Sequence, residues 1–146
     1  MEQSEERRKI AVDFDGTIVE NEYPQIGREK PFALRTLRAL QEHGFTLILW
    51  TCRTGSELEA AVEFCRKGGV EFYAVNENFE GELYQGPCPR KIDADIYIDD
   101  RNLGGMKQWG EIYHDLTGQS EDGFAQRTES KKHTIGNRLR KWILGK

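Results

Sequence analysis

The sequence predicts an α/β fold with a mostly parallel central sheet and helices on both faces of that sheet. Two observations support this prediction. Short apolar runs alternate along the chain with segments of helical periodicity, and polar residues follow the apolar runs. Such alternation is typical of βαβ units, in which parallel strands are covered by the helices that connect them. The length of 146 residues suits one domain of this kind.

The first part of the chain predicts a strand, a helix and a second strand. Residues 9–12 form an apolar run that stops at Asp13, which predicts a buried strand. A helix is predicted from Pro31 to Gly44, because Pro suits a helix N-terminus, apolar residues recur at spacings of four and three, and Gly ends helices. Residues 45–50 predict the second buried strand.

The alternation continues after the second strand. A second helix, which ends at Gly68 and Gly69, is predicted from an apolar face made of Leu58, Ala61, Val62 and Cys65. Residues 70–75 and 95–98 predict the third and fourth strands. The predicted order of elements up to this point is therefore β-α-β-α-β-β.

The sequence argues against a membrane protein and against a secreted protein. The longest apolar stretch is residues 47–50, against the roughly 18 residues that a membrane span needs, and residues 1–6 lack the apolar core of a signal peptide. Cys52, Cys65 and Cys88 are odd in number and have no C-x-x-C spacing, so neither a disulfide framework nor a zinc ribbon is expected. Packing is the interpretation favoured for Cys52. A cytoplasmic protein without a transmembrane segment is predicted.

Charge divides the chain into an acidic body and a basic end. Residues 127–146 contain seven Lys or Arg against one acidic residue, whereas residues 1–126 have an excess of acidic residues. The predicted organisation is a polar extension at residues 1–8, a globular domain at residues 9–118 and a basic C-terminal segment at residues 119–146.

Part of the basic segment has the pattern of a short amphipathic helix. Its apolar stripe consists of Ile135, Leu139, Trp142 and Ile143, and its basic residues lie largely off that stripe. So short a helix needs a partner in water. Docking on the acidic domain or on a neighbouring subunit is the favoured interpretation, with an anionic membrane surface and nucleic acid as the alternatives.

Polar and charged side chains lie at the carboxyl ends of three predicted strands. They are Asp13, Asp15, Thr51, Arg53, Asp99 and Asp100, with Lys91 just before the fourth strand. Ligands of open α/β sheets bind at the carboxyl ends of the strands. A ligand site is therefore predicted at this edge of the sheet.

The acidic residues of this set suit a hard cation. Asp13 and Asp15 stand two residues apart after a strand, so their carboxylates would lean to one side, repel each other and bind a proton or a cation. Asp99 and Asp100 would bring a second pair of carboxylates from another strand, which makes an oxygen-rich site suited to Mg²⁺.

The remaining residues suit a phosphoryl group. Thr51 offers a hydroxyl and a backbone donor, and Lys91 offers a mobile positive charge. Arg53 is either a second contact to a substrate anion or a surface arginine.

Four segments in order resemble the motifs of the haloacid dehalogenase-like hydrolase superfamily. Residues 13–19, with the sequence DFDGTIV after a hydrophobic strand, resemble the first motif. Residues 47–51 are similar to the second motif, an apolar strand that ends in Thr. Lys91 stands where the third-motif lysine belongs, and residues 96–100 resemble the fourth motif. The resemblance covers residues 9–116.

This resemblance implies a Rossmann-like three-layer sandwich and Mg²⁺-dependent phosphoryl transfer through a phosphoaspartate. It implies that Asp13 is the nucleophile and that Asp15 is the general acid and base. Thr51 and Lys91 would hold the phosphoryl group. The implied metal ligands are Asp13, Asp15 through its backbone carbonyl, Asp99 and Asp100. Dehalogenases of the superfamily lack an acid at the place of Asp15, so the resemblance favours a phosphatase.

The spacing of the motifs resembles the small branch of the superfamily that has no cap domain. Only 13 residues separate Thr17 from Pro31, where the first helix is predicted to begin, and residues 70–90 hold one strand and a loop. The site would be open unless residues 20–30, residues 77–89 or another subunit cover it.

The predicted function is that of a Mg²⁺-dependent phosphatase acting on a small phosphorylated substrate. A nucleic-acid or nucleotide 3′/5′-end phosphatase is the alternative activity, suggested by the open site and the basic segment. Against it, the domain is acidic and lacks interleaved aromatic and basic residues. A non-catalytic scaffold of the same fold and a homo-oligomer also stay open as alternatives.

Overall fold

The chain folds around a four-stranded, all-parallel sheet with the strand order β3-β2-β1-β4. The computed structural model describes residues 6–83 and 91–120. Its elements are β1 (Lys9–Val12), α1 (Ala33–Glu42), β2 (Thr46–Leu49), α2 (Gly55–Lys67), β3 (Ala74–Val75), β4 (Ile96–Ile98) and α3 (Trp109–Thr117). The predicted α/β fold with a parallel sheet is confirmed, and no cap domain is present among the described residues.

β1 is a central strand, and its register brings three strand ends level with one another. Val12, the last residue of β1, pairs with Leu49 of β2 on one side and with Ile98 of β4 on the other. The residues that follow these three strands therefore begin at the same edge of the sheet.

β1 is buried on both faces of the sheet. Ile10, Ala11 and Val12 point alternately to opposite faces, and all three are 0% exposed. A strand covered on both faces has no need for polar alternation, which explains why residues 9–12 appear in the sequence as a nearly continuous apolar run.

α1 buries the apolar face that its spacing predicts. Ala33, Leu37 and Leu40 are each 0% exposed. Phe32 precedes the helix in a left-handed conformation and gives no side-chain cap, but the Glu29 carboxylate accepts a hydrogen bond of 3.0 Å from the amide of Leu34. An acidic side chain therefore satisfies one of the donors in the first turn.

β2, β3 and β4 are shorter than the sequence predicts. β2 lacks one predicted residue at each end, and β3 holds only the last two of residues 70–75. The reason is pairing, because β3 finds ladder partners only at Ile48 and Leu49. In both β2 and β3, the apolar run in the sequence is longer than the part that pairs with a neighbouring strand.

The chain divides into two compact units, Met1–Trp109 and Gly110–Lys146. In the second unit, the Tyr113 hydroxyl forms a hydrogen bond of 3.0 Å with Gln119. Cys88 and the predicted amphipathic helix at residues 135–144 lie outside the described residues. Within residues 6–83 and 91–120, no helix is long and apolar enough to cross a membrane.

Candidate active site

Three carboxylates from the ends of β1 and β4 form an acidic cluster. Asp13 follows β1, and Asp99 and Asp100 follow β4. Each contributes a carboxylate oxygen, and these oxygens lie within 4.8 Å of one another. The Asp13 amide donates a hydrogen bond of 3.0 Å to the Ile98 carbonyl, which ties the two strand ends together. The structure thus brings together three of the predicted metal-ligating side chains.

The acidic cluster fits a divalent cation. All three residues are half-buried, and carboxylate oxygens are the donors that Mg²⁺ takes in proteins. Burial raises the pKa of Asp13 to about 7, with the charge of Asp99 and a hydrogen bond to Asp100 acting in the same direction. The negative form of Asp13 is therefore unfavourable unless a positive charge compensates it.

Thr17 links both halves of the acidic cluster. Its hydroxyl lies 3.2 Å from a carboxylate oxygen of Asp13 and 3.2 Å from one of Asp100, and it accepts a hydrogen bond of 3.0 Å from the Asp100 amide. One hydroxyl has a single proton, so it donates to only one carboxylate at a time. The Thr17 carbonyl accepts a hydrogen bond of 3.0 Å from the indole of Trp109. Sequence reasoning quoted Thr17 within a motif but gave it no role.

Gly16 allows the close approach of Asp100. Its φ of +81° is one that L side chains rarely adopt, and a Cβ at this position would lie 2.8 Å from the Asp100 Cγ. A side chain at position 16 would therefore displace a member of the acidic cluster.

Asp15 is not one of the three carboxylates of the acidic cluster, and it pairs with Arg53. The Arg53 Nε donates to Asp15 Oδ2 at 2.7 Å, and Nη2 donates to Oδ1 at 2.8 Å. Both carboxylate oxygens of Asp15 accept hydrogen bonds from Arg53, so the positive charge beside Asp15 is a guanidinium. The expected metal contact of Asp15 involved only its backbone carbonyl.

Arg53 is buried and fully hydrogen-bonded, so its interpretation as a surface arginine is wrong. Its side chain is 1% exposed. The three N–H groups not bonded to Asp15 donate to the backbone carbonyls of Pro24, Gln25 and Glu57, at 3.0, 2.7 and 3.3 Å. Hydrogen bonding to Asp15 raises the pKa of Arg53, so its charge is permanent. All five donors are used within the protein, which leaves none for a substrate anion in this arrangement.

Thr51 lies at the end of β2 and is held by its neighbours. Its side chain is buried, its amide donates a hydrogen bond of 2.8 Å to the Asn76 Oδ1, and its hydroxyl accepts one of 3.2 Å from the Arg53 amide. Asn76 follows β3 with a φ of +54°. Sequence reasoning missed Asn76, although its place directly after a predicted strand was the signal that found Thr51.

Lys91 is exposed and lies against an aromatic ring. Its ammonium is 5.0 Å from the ring centroid of Tyr97 on β4, and the Tyr97 hydroxyl donates a hydrogen bond to the Ile92 carbonyl. Within the described residues, no ion pair joins Lys91 to the acidic cluster. Cys52, for which packing was favoured, is exposed.

Residues 20–30 form a loop between β1 and α1 that contacts Arg53. The Glu20 amide bonds to the Arg28 carbonyl at 2.8 Å, and the Lys30 amide bonds to the Ile18 carbonyl at 2.9 Å. This segment is closed at its base by main-chain bonds. Residues 84–89 of the other predicted covering loop lie outside the described residues.

The fold and the acidic cluster define an α/β protein with three clustered carboxylates at the carboxyl edge of its sheet. The chain is similar to a solved structure described as that of the conserved protein coded by locus from Bacteroides thetaiotaomicron, with 48% identity and a TM-score of 0.70. The match covers 82% of this chain and 98% of that one, so the two belong to the same protein family. That description names no activity. No family model and no curated protein matches the chain.

Proposed function

We propose that the protein is a Mg²⁺-dependent phosphatase that hydrolyses a phosphomonoester through a phosphoaspartate on Asp13. The observation that supports this proposal best is the acidic cluster, in which three carboxylates from neighbouring strands approach within 4.8 Å. The motif order that resembles the haloacid dehalogenase-like hydrolases, with Asp15 two residues after Asp13, supports it independently.

Asp13 is the nucleophile in this proposal. A carboxylate oxygen of Asp13 attacks phosphorus, and the bond from phosphorus to the ester oxygen breaks. Asp15 enters this step in its protonated form and gives its proton to the leaving oxygen. In the second step a water molecule gives its proton to Asp15 and attacks the phosphoaspartate, which releases inorganic phosphate and restores Asp13. Bound Mg²⁺ supplies positive charge that offsets the charge of the carboxylates and of the phosphoryl oxygens.

Thr51 and Lys91 bind the phosphoryl oxygens. The Thr51 hydroxyl accepts a hydrogen bond from the Arg53 amide, which leaves its own proton to donate to an anion. Lys91 has a long flexible stem and an exposed ammonium, so it moves from the Tyr97 ring to the substrate when the anion arrives.

The substrate class in this proposal is a small phosphomonoester, because the excess of acidic residues over residues 1–126 disfavours a nucleic-acid strand. We place the enzyme in the cytoplasm on the grounds of its free cysteines, and we keep a homo-oligomer that covers the open site as a further proposal. An end phosphatase acting on nucleic acid or nucleotides is the alternative activity.

Turnover of p-nitrophenyl phosphate with Mg²⁺ and with EDTA tests the proposed function. Wild-type protein should turn over the substrate only with Mg²⁺, Asp13→Asn should have no activity, and Asp115→Asn, which alters an exposed carboxylate on α3, should match the wild type. Failure of the wild type to hydrolyse any of a panel of phosphomonoesters with Mg²⁺ would reject the proposal and favour the scaffold. Preference for 3′-phosphorylated oligonucleotides over sugar phosphates would favour the end phosphatase.

A further inference from the structure

Arg53 is a buried charge to which the proposed mechanism gives no role. It is 1% exposed, and its guanidinium carbon lies 5.1 Å from the ring centroids of both Phe14 and Tyr23. Burying an arginine costs free energy unless all its donors are satisfied, and here all five are. So complete a set of contacts fixes the guanidinium in one position.

The contacts of Arg53 join two parts of the site that lie apart in the sequence. In the plane of the guanidinium, one edge binds the Asp15 carboxylate through two parallel hydrogen bonds. Other N–H groups bind the carbonyls of Pro24 and Gln25, in the loop formed by residues 20–30. The bond to the Glu57 carbonyl anchors the same side chain to α2.

We infer that Arg53 is a positioning residue that orients the Asp15 carboxylate and holds residues 23–25 beside it. This inference rests on the proposed function, since it concerns the residue that exchanges protons there. A carboxylate held by two hydrogen bonds in one plane has a single orientation, whereas an isolated Asp side chain rotates about two bonds. Arg53 thus acts on the reaction through Asp15 and does not bind the phosphoryl group.

Residues 23–25 then form the wall that faces the leaving group. The leaving oxygen must lie next to Asp15 to receive its proton, and Arg53 contacts both Asp15 and this segment. Tyr23 is 58% exposed although its ring also covers the guanidinium. The leaving group therefore meets an aromatic surface whose position depends on Arg53.

A double-mutant cycle tests the inference by kinetics. Arg53→Lys keeps the charge but loses the paired hydrogen bonds, and it should lower kcat by about 10- to 100-fold while KM changes by less than about threefold. In an Asp15→Asn background, the same substitution should lower kcat by less than about threefold more, because the group through which Arg53 acts has been removed.

The matched control is Arg66→Lys. Arg66 makes the same pair of hydrogen bonds to Glu63, at 2.7 and 2.6 Å, but on the exposed surface of α2. The Arg66→Lys substitution should leave kcat and KM unchanged. A rise in KM with unchanged kcat for Arg53→Lys would overturn the inference in favour of direct substrate binding. A loss in kcat that is as large in the Asp15→Asn background would also overturn it.

Amide hydrogen exchange tests whether Arg53 couples Asp15 to residues 23–25, and it does not require enzymatic activity. It can therefore be used even if Arg53→Lys does not fold. Asp15 has no hydrogen bond to residues 23–25 in the described structure, yet Asp15→Asn should speed exchange in peptides covering residues 20–30, because the amide replaces one acceptor of Arg53 by a donor. The control variant Asp115→Asn should not change the exchange in these peptides. Unchanged exchange in Asp15→Asn would refute the coupling. If the wild type hydrolyses no phosphomonoester, the proposed function fails, whereas exchange still decides whether Arg53 joins Asp15 to the segment.

Discussion

Asp13 is a half-buried acid of the acidic cluster, and its burial disfavours the ionised form. Burial raises its pKa from 3.8 to about 7, so the folded protein binds a proton at Asp13 more tightly than the unfolded chain does. The stability that this proton binding provides is fully present below pH 3.8 and is lost as the pH rises through about 7.

The direction of this pH dependence of stability gives the first prediction. Without metal, the Tm of the wild type relative to that of Asp13→Asn should fall as the pH is raised from about 4 to about 8, because Asn does not ionise. Thermal unfolding in EDTA at several pH values measures the difference. Parallel curves for the two proteins would show that the acidic cluster does not raise the pKa of Asp13.

Gly16 gives a second prediction, with a glycine of the same chain as its control. Gly16→Ala adds both left-handed strain and a clash with Asp100, and it should cost about 2 to 5 kcal/mol. Gly104→Ala has a φ of +87° but meets nothing within 4 Å, so it should cost only the strain, about 1 to 2 kcal/mol. Urea unfolding measures both. Equal losses would mean that Asp100 moves aside without cost.

At the scale of secondary-structure elements, Asn76 connects the ends of β2 and β3. Asn76→Gly removes the acceptor of the Thr51 amide. Asn76→Ala removes the same acceptor and keeps a Cβ at a φ of +54°, a conformation that Ala tolerates less well than Asn or Gly. A lost partner of a part-buried amide costs about 1 to 3 kcal/mol, and Ala should cost about 1 kcal/mol more than Gly. Denaturant unfolding ranks the variants, and greater stability of the Ala variant would refute the strain at this position.

The features of this structure that the sequence predicts are those that depend on residues close together in the chain. β1 is predicted to the residue, because its apolar run ends at a charged residue, and the ends of parallel strands place Asp13, Asp99 and Asp100 together without further information. The pairing of Arg53 with Asp15 spans 38 positions and depends on the turn after Val12, which leaves no periodic signal. The lengths of the strands are not predictable from local sequence either, because the length of β3 depends on how many residues of β2 pair with it.

At the scale of the whole molecule, cation binding and folding are linked. A cation that binds the folded state alone stabilises it, so Mg²⁺ should raise the Tm of the wild type in proportion to the logarithm of its concentration above Kd. Replacing both Asp99 and Asp100 by Ala should abolish this rise and should increase the Tm without metal, because two of three mutually repelling carboxylates are gone. An unchanged Mg²⁺ response in that variant would place the cation elsewhere.

The order of the strands also affects how copies of the chain meet. In the part of the chain that the structure describes, the two edge strands are the shortest, with two residues in β3 and three in β4. An edge strand displays unpaired amide and carbonyl groups on which another chain can add a strand, and long flat edges are the usual start of aggregation. The two longest strands of this sheet are both interior. The described sheet therefore offers only short edges, of two and three residues, from which intermolecular sheets can grow.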